Sequence, residues 1–449
     1  MKNYFCRTLL TTAAWLAFLG TAPAESLQDA VSEAIGTHPS VKAAMASHDA
    51  STQTVREQRS AYYPELSVST QAGRIYGDNA TSRGLSVTRG AGYSWLWEGN
   101  AALTQKIYDW GETGNKVDAA KAREAAASMT IENQQDAIAL RAAQAFISLL
   151  RASDLKNRAA VNLEAIKSYQ EKIAVQVEEG GSDEAELNRA NDFLLLAQNA
   201  ATEFEGQYQQ GLAEYIEAVG HAPEMGLKRP MLPATFPANL DSAIDQAFMA
   251  HPQVAAAKQS VIATDYDMRA EKTSYLPKVS GQLSYLERDQ DDLIGGEATD
   301  ARAVVKADWN YSTGGAQHAR VDRAQAMREQ AKAELDEVYR RVERDIRVGW
   351  AMLDTTRQQQ ETQENRRAAT AKVVDTYKTQ YEGGNRTLIE LMQAESQAFD
   401  ASVAYANADY GVLSATYTLM AAMGQLIPAL TPTTAIAESA AHDEPAAQQ

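Results

Sequence analysis

The chain has almost no cysteine, with one in 449 residues, Cys6. That residue lies within an amino-terminal stretch that starts basic (Lys2, Arg7), turns apolar from Leu9 to Leu19 and ends at Ala22-Pro23-Ala24 before Glu25. This is the layout of a secretory signal peptide over residues 1–24. Its removal leaves no thiol, which excludes disulfides, thiolate metal sites, cysteine nucleophiles and an acylated amino-terminal cysteine anchor. No later apolar run reaches the roughly 18 residues that a transmembrane helix needs. Positive charge is also scarce. Lys and Arg number 42 against 59 Asp and Glu, a formal net charge of −17 that repels nucleic acid and other polyanions. P-loop, Gly-x-Ser-x-Gly, His-Glu-x-x-His and dinucleotide signatures are missing, and the six histidines show no ligand spacing. The expectation is no enzyme, no cofactor and no metal. An exported, acidic, cysteine-free chain is either a soluble periplasmic protein or an outer-membrane strand protein, whose membrane signal is weak by nature.

What the chain does contain is a second copy of itself. Leu27 to His38-Pro39 matches Leu240 to His251-Pro252 at an offset of 251 − 38 = 213, and Tyr63-Pro64 matches Leu276-Pro277 at the same offset. Farther on, Tyr108-Asp-Trp-Gly111 matches Tyr311-Ser-Thr-Gly314, and Glu179-Gly-Gly181 matches Glu382-Gly-Gly384, both at 384 − 181 = 203. An insertion is best tolerated in an exposed loop, so the change of offset places a loop between Pro64 and Tyr108. A repeat this long exceeds any solenoid unit and reads as one duplicated half of an architecture.

Each half predicts the same order of elements. A short helix ends at His-Pro, where proline suits a first helical turn, so His38 and His251 read as turn residues rather than as a metal pair. A second helix stops at the next proline. Alternating strands follow at about 65–74 and 95–108 in the first half and about 278–287 and 302–311 in the second. Ten residues is roughly what a tilted strand needs to cross an outer membrane. Aromatics crowd the strand ends (Tyr62, Tyr63, Tyr93, Trp95, Trp97, Tyr108, Trp110, Tyr275, Tyr285, Trp309, Tyr311), as at a membrane interface. Gly73 to Gly99 and Glu287 to Glu297 suit outward loops.

Beyond the strands, both halves become helical. Leu335, Val338, Val342, Ile346, Gly349 and Leu353 repeat at coiled-coil spacing, and Ile138, Ala142, Ala145 and Leu149 do the same. Glu-Gly-Gly ends each long helix, and a new helix starts at once. The predicted organisation is a signal peptide at 1–24, a first repeat at 25–220 with a helical hairpin at 112–219, a linker at 221–239, a second repeat at 240–426 with a hairpin at 315–424, and a disordered tail at 427–449.

Four strands cannot close a barrel that side chains can line, and open strand edges are not tolerated in lipid. Copies of the chain are the economical partners. Three copies give twelve strands, within the range that carries a water-filled lumen, although sequence physics alone permits other copy numbers.

The duplicated order of elements, the Tyr-Asp-Trp-Gly and Tyr-Ser-Thr-Gly-Gly strand exits and the tip Tyr381-Glu-Gly-Gly384-Asn-Arg386-Thr387-Leu-Ile-Glu390-Leu resemble TolC-type outer-membrane channel proteins over about Ser26 to Gln425. The resemblance implies a mainly α chain with a membrane β-barrel, in a homotrimer whose twelve-stranded barrel continues into a long α-helical coiled-coil tunnel in the periplasm. It also implies location in the outer membrane, against its lipid, and docking to a periplasmic membrane-fusion adaptor and an inner-membrane ABC or RND pump. By the same resemblance Tyr381, Arg386, Thr387 and Glu390 form the periplasmic gate. Gln393 replaces the second acid often found there, which departs from a double acidic ring. The competing reading of Arg386 and Glu390, four residues apart, is an ordinary helix-surface pair. Asp183, Glu184 and Glu186 read as helix-start acids. Gly180, Gly181, Gly383 and Gly384, farthest from the membrane, are the expected adaptor contacts. The expected function is a passive duct for type I protein secretion, efflux or both. Alternatives are a multidrug efflux channel with no protein substrate and a soluble periplasmic coiled-coil adaptor or scaffold.

Overall fold

A computed structural model describes residues 25–77, 92–223, 226–232, 236–290 and 297–430. The expected signal peptide, parts of both outward loops and the tail from residue 431 lie outside these. The first repeat contains α1 (Leu27–Thr37), α2 (Pro39–Ser60), β1 (Glu65–Gly77), β2 (Gly92–Tyr108), α3 (Glu112–Glu178) and α4 (Glu184–Val219). The second contains α5 (Leu240–Ala250), α6 (Pro252–Lys272), β3 (Lys278–Gln290), β4 (Ala298–Asp308), α7 (Ala316–Glu382) and α8 (Leu388–Ala422), followed by α9 (Leu426–Leu430). Residues 427–430 are therefore helix rather than the start of a tail, because Leu426 and Leu430, one turn apart, are buried in the core.

His38 and His251 cap α2 and α6. Their Nδ1 atoms accept the Ser40 and Gln253 amides at 3.2 and 3.1 Å, while the following prolines occupy the first helical turn, where an N–H would be unused. The duplication thus repeats a capping device, not a ligand pair.

The strands form one antiparallel sheet in the order β1-β2-β3-β4. β1 and β3 run three residues past their expected ends, and β2 starts three earlier. β4 ends at Asp308, not 311. Its ladder stops at the Lys278↔Asp308 pair, beyond which Pro277 has no N–H to give, and Trp309 turns its indole N–H to the Tyr275 carbonyl at 3.2 Å. Register separates the two faces. Leu66, Ala101, Leu103, Leu283, Tyr285, Ala301 and Ala303 lie together on one, and Gln71, Glu98, Arg288, Asp300 and Arg302 on the other. On the polar face Gln71 donates to Glu98 at 3.0 Å and Arg288 donates to the same carboxylate at 2.7 Å.

α3 and α7 are each 67 residues long, roughly 100 Å at 1.5 Å per residue. Left-handed glycines open and close the hairpins: Gly111, Gly180 and Gly220 in the first repeat, Gly315, Gly384 and Gly424 in the second. Each pair stands 315 − 111 = 204 apart, so the structural offset is 204 where the residue matches suggest 203. Letters align the Gly-Gly dipeptides; backbone handedness, which decides where a chain without a side-chain clash is needed, aligns their neighbours.

Val342, Ile346, Gly349 and Leu353 of α7 are buried against Val412, Ala415 and Leu419 of α8, α5 and Val254 of α6. The first repeat has its counterpart, where Ile138, Ala142, Phe146 and Leu149 of α3 meet Tyr215 of α4, α1 and the end of α8. Close approach needs a missing side chain in both. A Cβ on Gly211 would lie 3.4 Å from the Leu149 Cα, and one on Gly349 would lie 3.4 Å from the Leu419 Cα. The inter-repeat linker crosses α8, fastened by Arg229, which grips Asp409 through two hydrogen bonds of 2.6 and 2.8 Å, and by the Tyr417 hydroxyl, which donates to the Met231 carbonyl at 2.9 Å.

Candidate functional site at the hairpin tips

The far ends of the hairpins are built by capping chemistry. α3 closes through the Gly181 amide, which donates to the Gln176 carbonyl at 2.7 Å, and α7 through the Asn385 amide, which donates to the Gln380 carbonyl at 2.8 Å. Gly180 and Gly384, at φ +77° and +74°, make the turns. Gly181 and Gly383 are not left-handed. The next helices start at N-caps. Asp183 accepts the Glu186 amide at 2.7 Å, and Thr387 accepts the Glu390 amide at 3.3 Å. Asp183 and Glu186 thus serve helix initiation, with Ser182 donating to Glu186.

The second tip carries a denser network. Glu390 accepts the Thr387 amide at 3.0 Å, which completes a capping box. Its other oxygen accepts the Arg386 guanidinium at 2.6 Å. Arg386 also donates to the Gln380 side chain at 3.0 Å and lies 4.4 Å over the Tyr377 ring. The Thr387 amide, then Arg386, hold the Glu390 carboxyl below its ordinary range. Arg386, Thr387 and Glu390 are therefore one bonded unit. Tyr381 is one turn from Tyr377 and packs with it on the apolar side, against a cluster of Ile166, Ile173, Leu388, Leu391 and Met392 that joins both hairpins.

Two parts of this site escape sequence reasoning. Tyr377 and Gln380 hold Arg386 from the preceding helix, and their only sequence signal is the four-residue spacing of Tyr377 and Tyr381. Tyr169 of α3 donates to Glu395 of α8 at 3.1 Å, a tie between residues 226 apart that no local pattern announces. Burial and the adjacent Glu395 push the Tyr169 phenol up to about 12. Among the described residues no group of three or more metal-ligating side chains occurs, and no helix is long and apolar enough to cross a membrane. The chemistry available at the tip is ion pairing and capping.

The family model described as outer membrane efflux protein matches residues 30–221 and 243–425, one segment per repeat. The chain belongs to this outer membrane efflux protein family. It is 24% identical over 439 residues to the outer membrane efflux protein BepC of Brucella suis, covering 94% of this chain and 91% of that protein. Among solved structures, the CmeC outer membrane channel of Campylobacter jejuni superposes with a TM-score of 0.76 at 16% identity, over 94% of this chain and 90% of that one. The open state of the MtrE outer membrane channel of Neisseria gonorrhoeae gives 0.74 at 13% identity, over 90% and 91%. These likenesses confirm the fold, the four-stranded sheet set on two long helical hairpins. In an outer membrane efflux protein the sheet lies in the outer membrane. A 13-residue strand tilted by roughly 40° rises about 33 Å, enough to cross the apolar layer, and the helices point into the periplasm. Tyr76 and Tyr93 pair at 5.2 Å at one end of the sheet, and Tyr108 and Trp110 at 4.8 Å at the other, as aromatic girdles do.

Proposed function

We propose that three copies of this chain close edge to edge into a twelve-stranded barrel whose polar face lines a water-filled lumen, continued by twelve helices as a periplasmic tunnel. The observation that carries this reading is the sheet, whose outer strands β1 and β4 each have one edge unpaired among the described residues. In lipid every backbone N–H and C=O must be paired, and cyclic copies supply that pairing. Equal 67-residue helices support closure of the tube. The tunnel is a passive duct serving type I protein secretion, efflux or both. It docks to a periplasmic adaptor through the Gly180-Gly181 and Gly383-Gly384 tips, and an inner-membrane ABC or RND pump supplies the energy. Drug efflux without a protein substrate is the second reading, favoured by the efflux naming of the BepC relative. At the tip, Tyr381, Arg386, Thr387 and Glu390 form the resting constriction, and three Glu390 carboxylates around the axis favour cations.

The test is extraction and electrical recording. The protein should leave membranes only in detergent, migrate as a heat-sensitive trimer, and conduct in planar bilayers with preference for cations. Extraction without detergent as a non-conducting monomer would reject the duct in favour of a soluble scaffold.

A further inference from the structure

Glu25 stands at a three-way junction. It forms a parallel bridge with Leu227 of the linker, its N–H donating to the Gly226 carbonyl at 3.2 Å and its carbonyl accepting the Lys228 amide at 3.0 Å. Its side chain turns inward, where Oε1 accepts the hydroxyl of Tyr215, a fully buried residue of α4. Oε2 is buried and has no hydrogen-bond partner among the described residues. The next residue, Ser26, caps α1. One residue thus joins α1, α4 and the linker, its backbone to the linker and its carboxylate to α4, with one carboxylate oxygen left unused.

A buried carboxylate in that state is costly unless a positive charge lies close. Among the described residues no cationic side chain hydrogen-bonds this carboxylate, although His221 lies near enough for its charge to be felt. His221 meets Glu33 at 3.0 Å and the Ala222 carbonyl at 2.8 Å, Arg229 is spent on Asp409, and the Lys228 side chain is exposed. The sequence supplies a directly bonding cation by another route, because Ala22-Pro23-Ala24 is a small-residue cleavage pattern that ends just before this residue.

We propose that cleavage of the Ala24–Glu25 bond completes the site, and that the new α-ammonium of Glu25 is the internal counter-ion of its buried carboxylate. Water adds across the amide: its hydroxyl goes to the Ala24 carbonyl carbon and its proton to the Glu25 nitrogen, which gains a further proton from solvent at neutral pH. The uncleaved amide has one hydrogen, already given to Gly226. The ammonium has three, so one stays on Gly226 and two serve the carboxylate. The precursor lacks this charge, and the junction of α1, α4 and the linker closes fully only in the processed chain. Removal of the export signal thereby acts as a folding checkpoint. The proposal rests on the reading of residues 1–24 as a cleaved signal.

The test is α-amine labelling of protein purified from outer membranes, using an amine-reactive ester at neutral pH with peptide mass mapping. The folded protein should label at least about tenfold more slowly than the same protein in urea, as a one-unit rise in the amine pKa would give. Glu25→Gln should abolish that protection, whereas Tyr215→Phe, which keeps the charge, should retain it. If Glu25→Gln does not fold, a refolded chain retaining Ala24 replaces it, and it too should label rapidly. A mature chain starting elsewhere overturns the cleavage reading and the proposal with it. A chain starting at Glu25 that labels equally fast folded and unfolded, or whose protection survives Glu25→Gln, overturns the proposal alone.

Discussion

The two hairpin tips share a backbone and differ in charge. Gly180 and Gly384 turn left-handed, and Asp183 and Thr387 cap the next helix, both pairs 387 − 183 = 204 apart. Glu186 and Glu390 occupy the same third helical position at that offset. At the place of Arg386, however, the first tip has Ser182, and at the places of Tyr377 and Tyr381 it has Ile173 and Val177. Duplication therefore supplied one frame twice, whereas the cation and its aromatic support exist only in the second. The lesson is that tip geometry and tip electrostatics are separable. On this basis the proposed resting constriction is assigned to the second hairpin, with the first as its structural partner.

The largest effect should come from erasing that difference. Arg386→Ser places the first tip's residue in the second and frees Glu390 from its 2.6 Å partner. Resting conductance in planar bilayers should rise several-fold, while Ser182→Ala leaves it unchanged; equal behaviour of the two variants would remove the gate from the second tip. Acid provides an independent route. Glu390 is held below the ordinary carboxylate range, so its contribution is complete at pH values above the ordinary glutamate pKa of about 4.3 and is lost as the pH falls through the lower folded value. Conductance of the native channel should therefore rise on acidification below that range, and Glu390→Gln should flatten the rise.

Much of the frame is legible in the sequence because it depends on short-range rules. His-Pro, Glu-Gly-Gly and alternating strand residues report local backbone needs, and those needs locate the strands, the long helices and the tips. Arg386, Thr387 and Glu390 fall in one bonded unit for the same reason, since capping and four-residue pairing act within a turn. The offset of 203 is off by one because identical letters were aligned where handedness decides. The β4 end is displaced because it depends on Pro277 of the partner strand. Tyr169 and Glu395 are invisible in the sequence because their contact exists only once the two hairpins are packed side by side.

A smaller effect tests the shared frame. Gly180→Ala and Gly384→Ala each force an L residue into a left-handed turn, at a cost of roughly 1–2 kcal/mol. Neither meets a neighbour within 4 Å, so backbone strain alone sets the cost and it should be equal at both tips. Amide hydrogen exchange should accelerate by similar factors near residues 180 and 384. Conductance should respond at 384 alone, because only that turn positions Arg386. A conductance rise from Gly180→Ala would show that the tips gate together.

The smallest effect concerns the tie between hairpins. Tyr169 reaches across from α3 to Glu395 of α8, but among the described residues the reverse tie is missing. The residue equivalent to Glu395 is Asn191, which accepts from Gln170 of its own hairpin at 3.0 Å. Near the tips the link is therefore directional, with Tyr169 of the first hairpin donating to a carboxylate of the second, while farther from the tips Gln144 and Arg151 of α3 donate to Thr418 and Asn407 of α8. Tyr169→Phe keeps the ring in the apolar cluster and removes only the hydroxyl, for a loss of about 1 kcal/mol. Such a loss should leave trimer stability unchanged and raise the resting conductance less than Arg386→Ser does. If the hairpins separate as independent units, the double variant should show additive free energies. If the Tyr169 tie and the Arg386 network hold one common closed arrangement, the first substitution releases most of what the second would have released, and the double variant should conduct little more than Arg386→Ser alone.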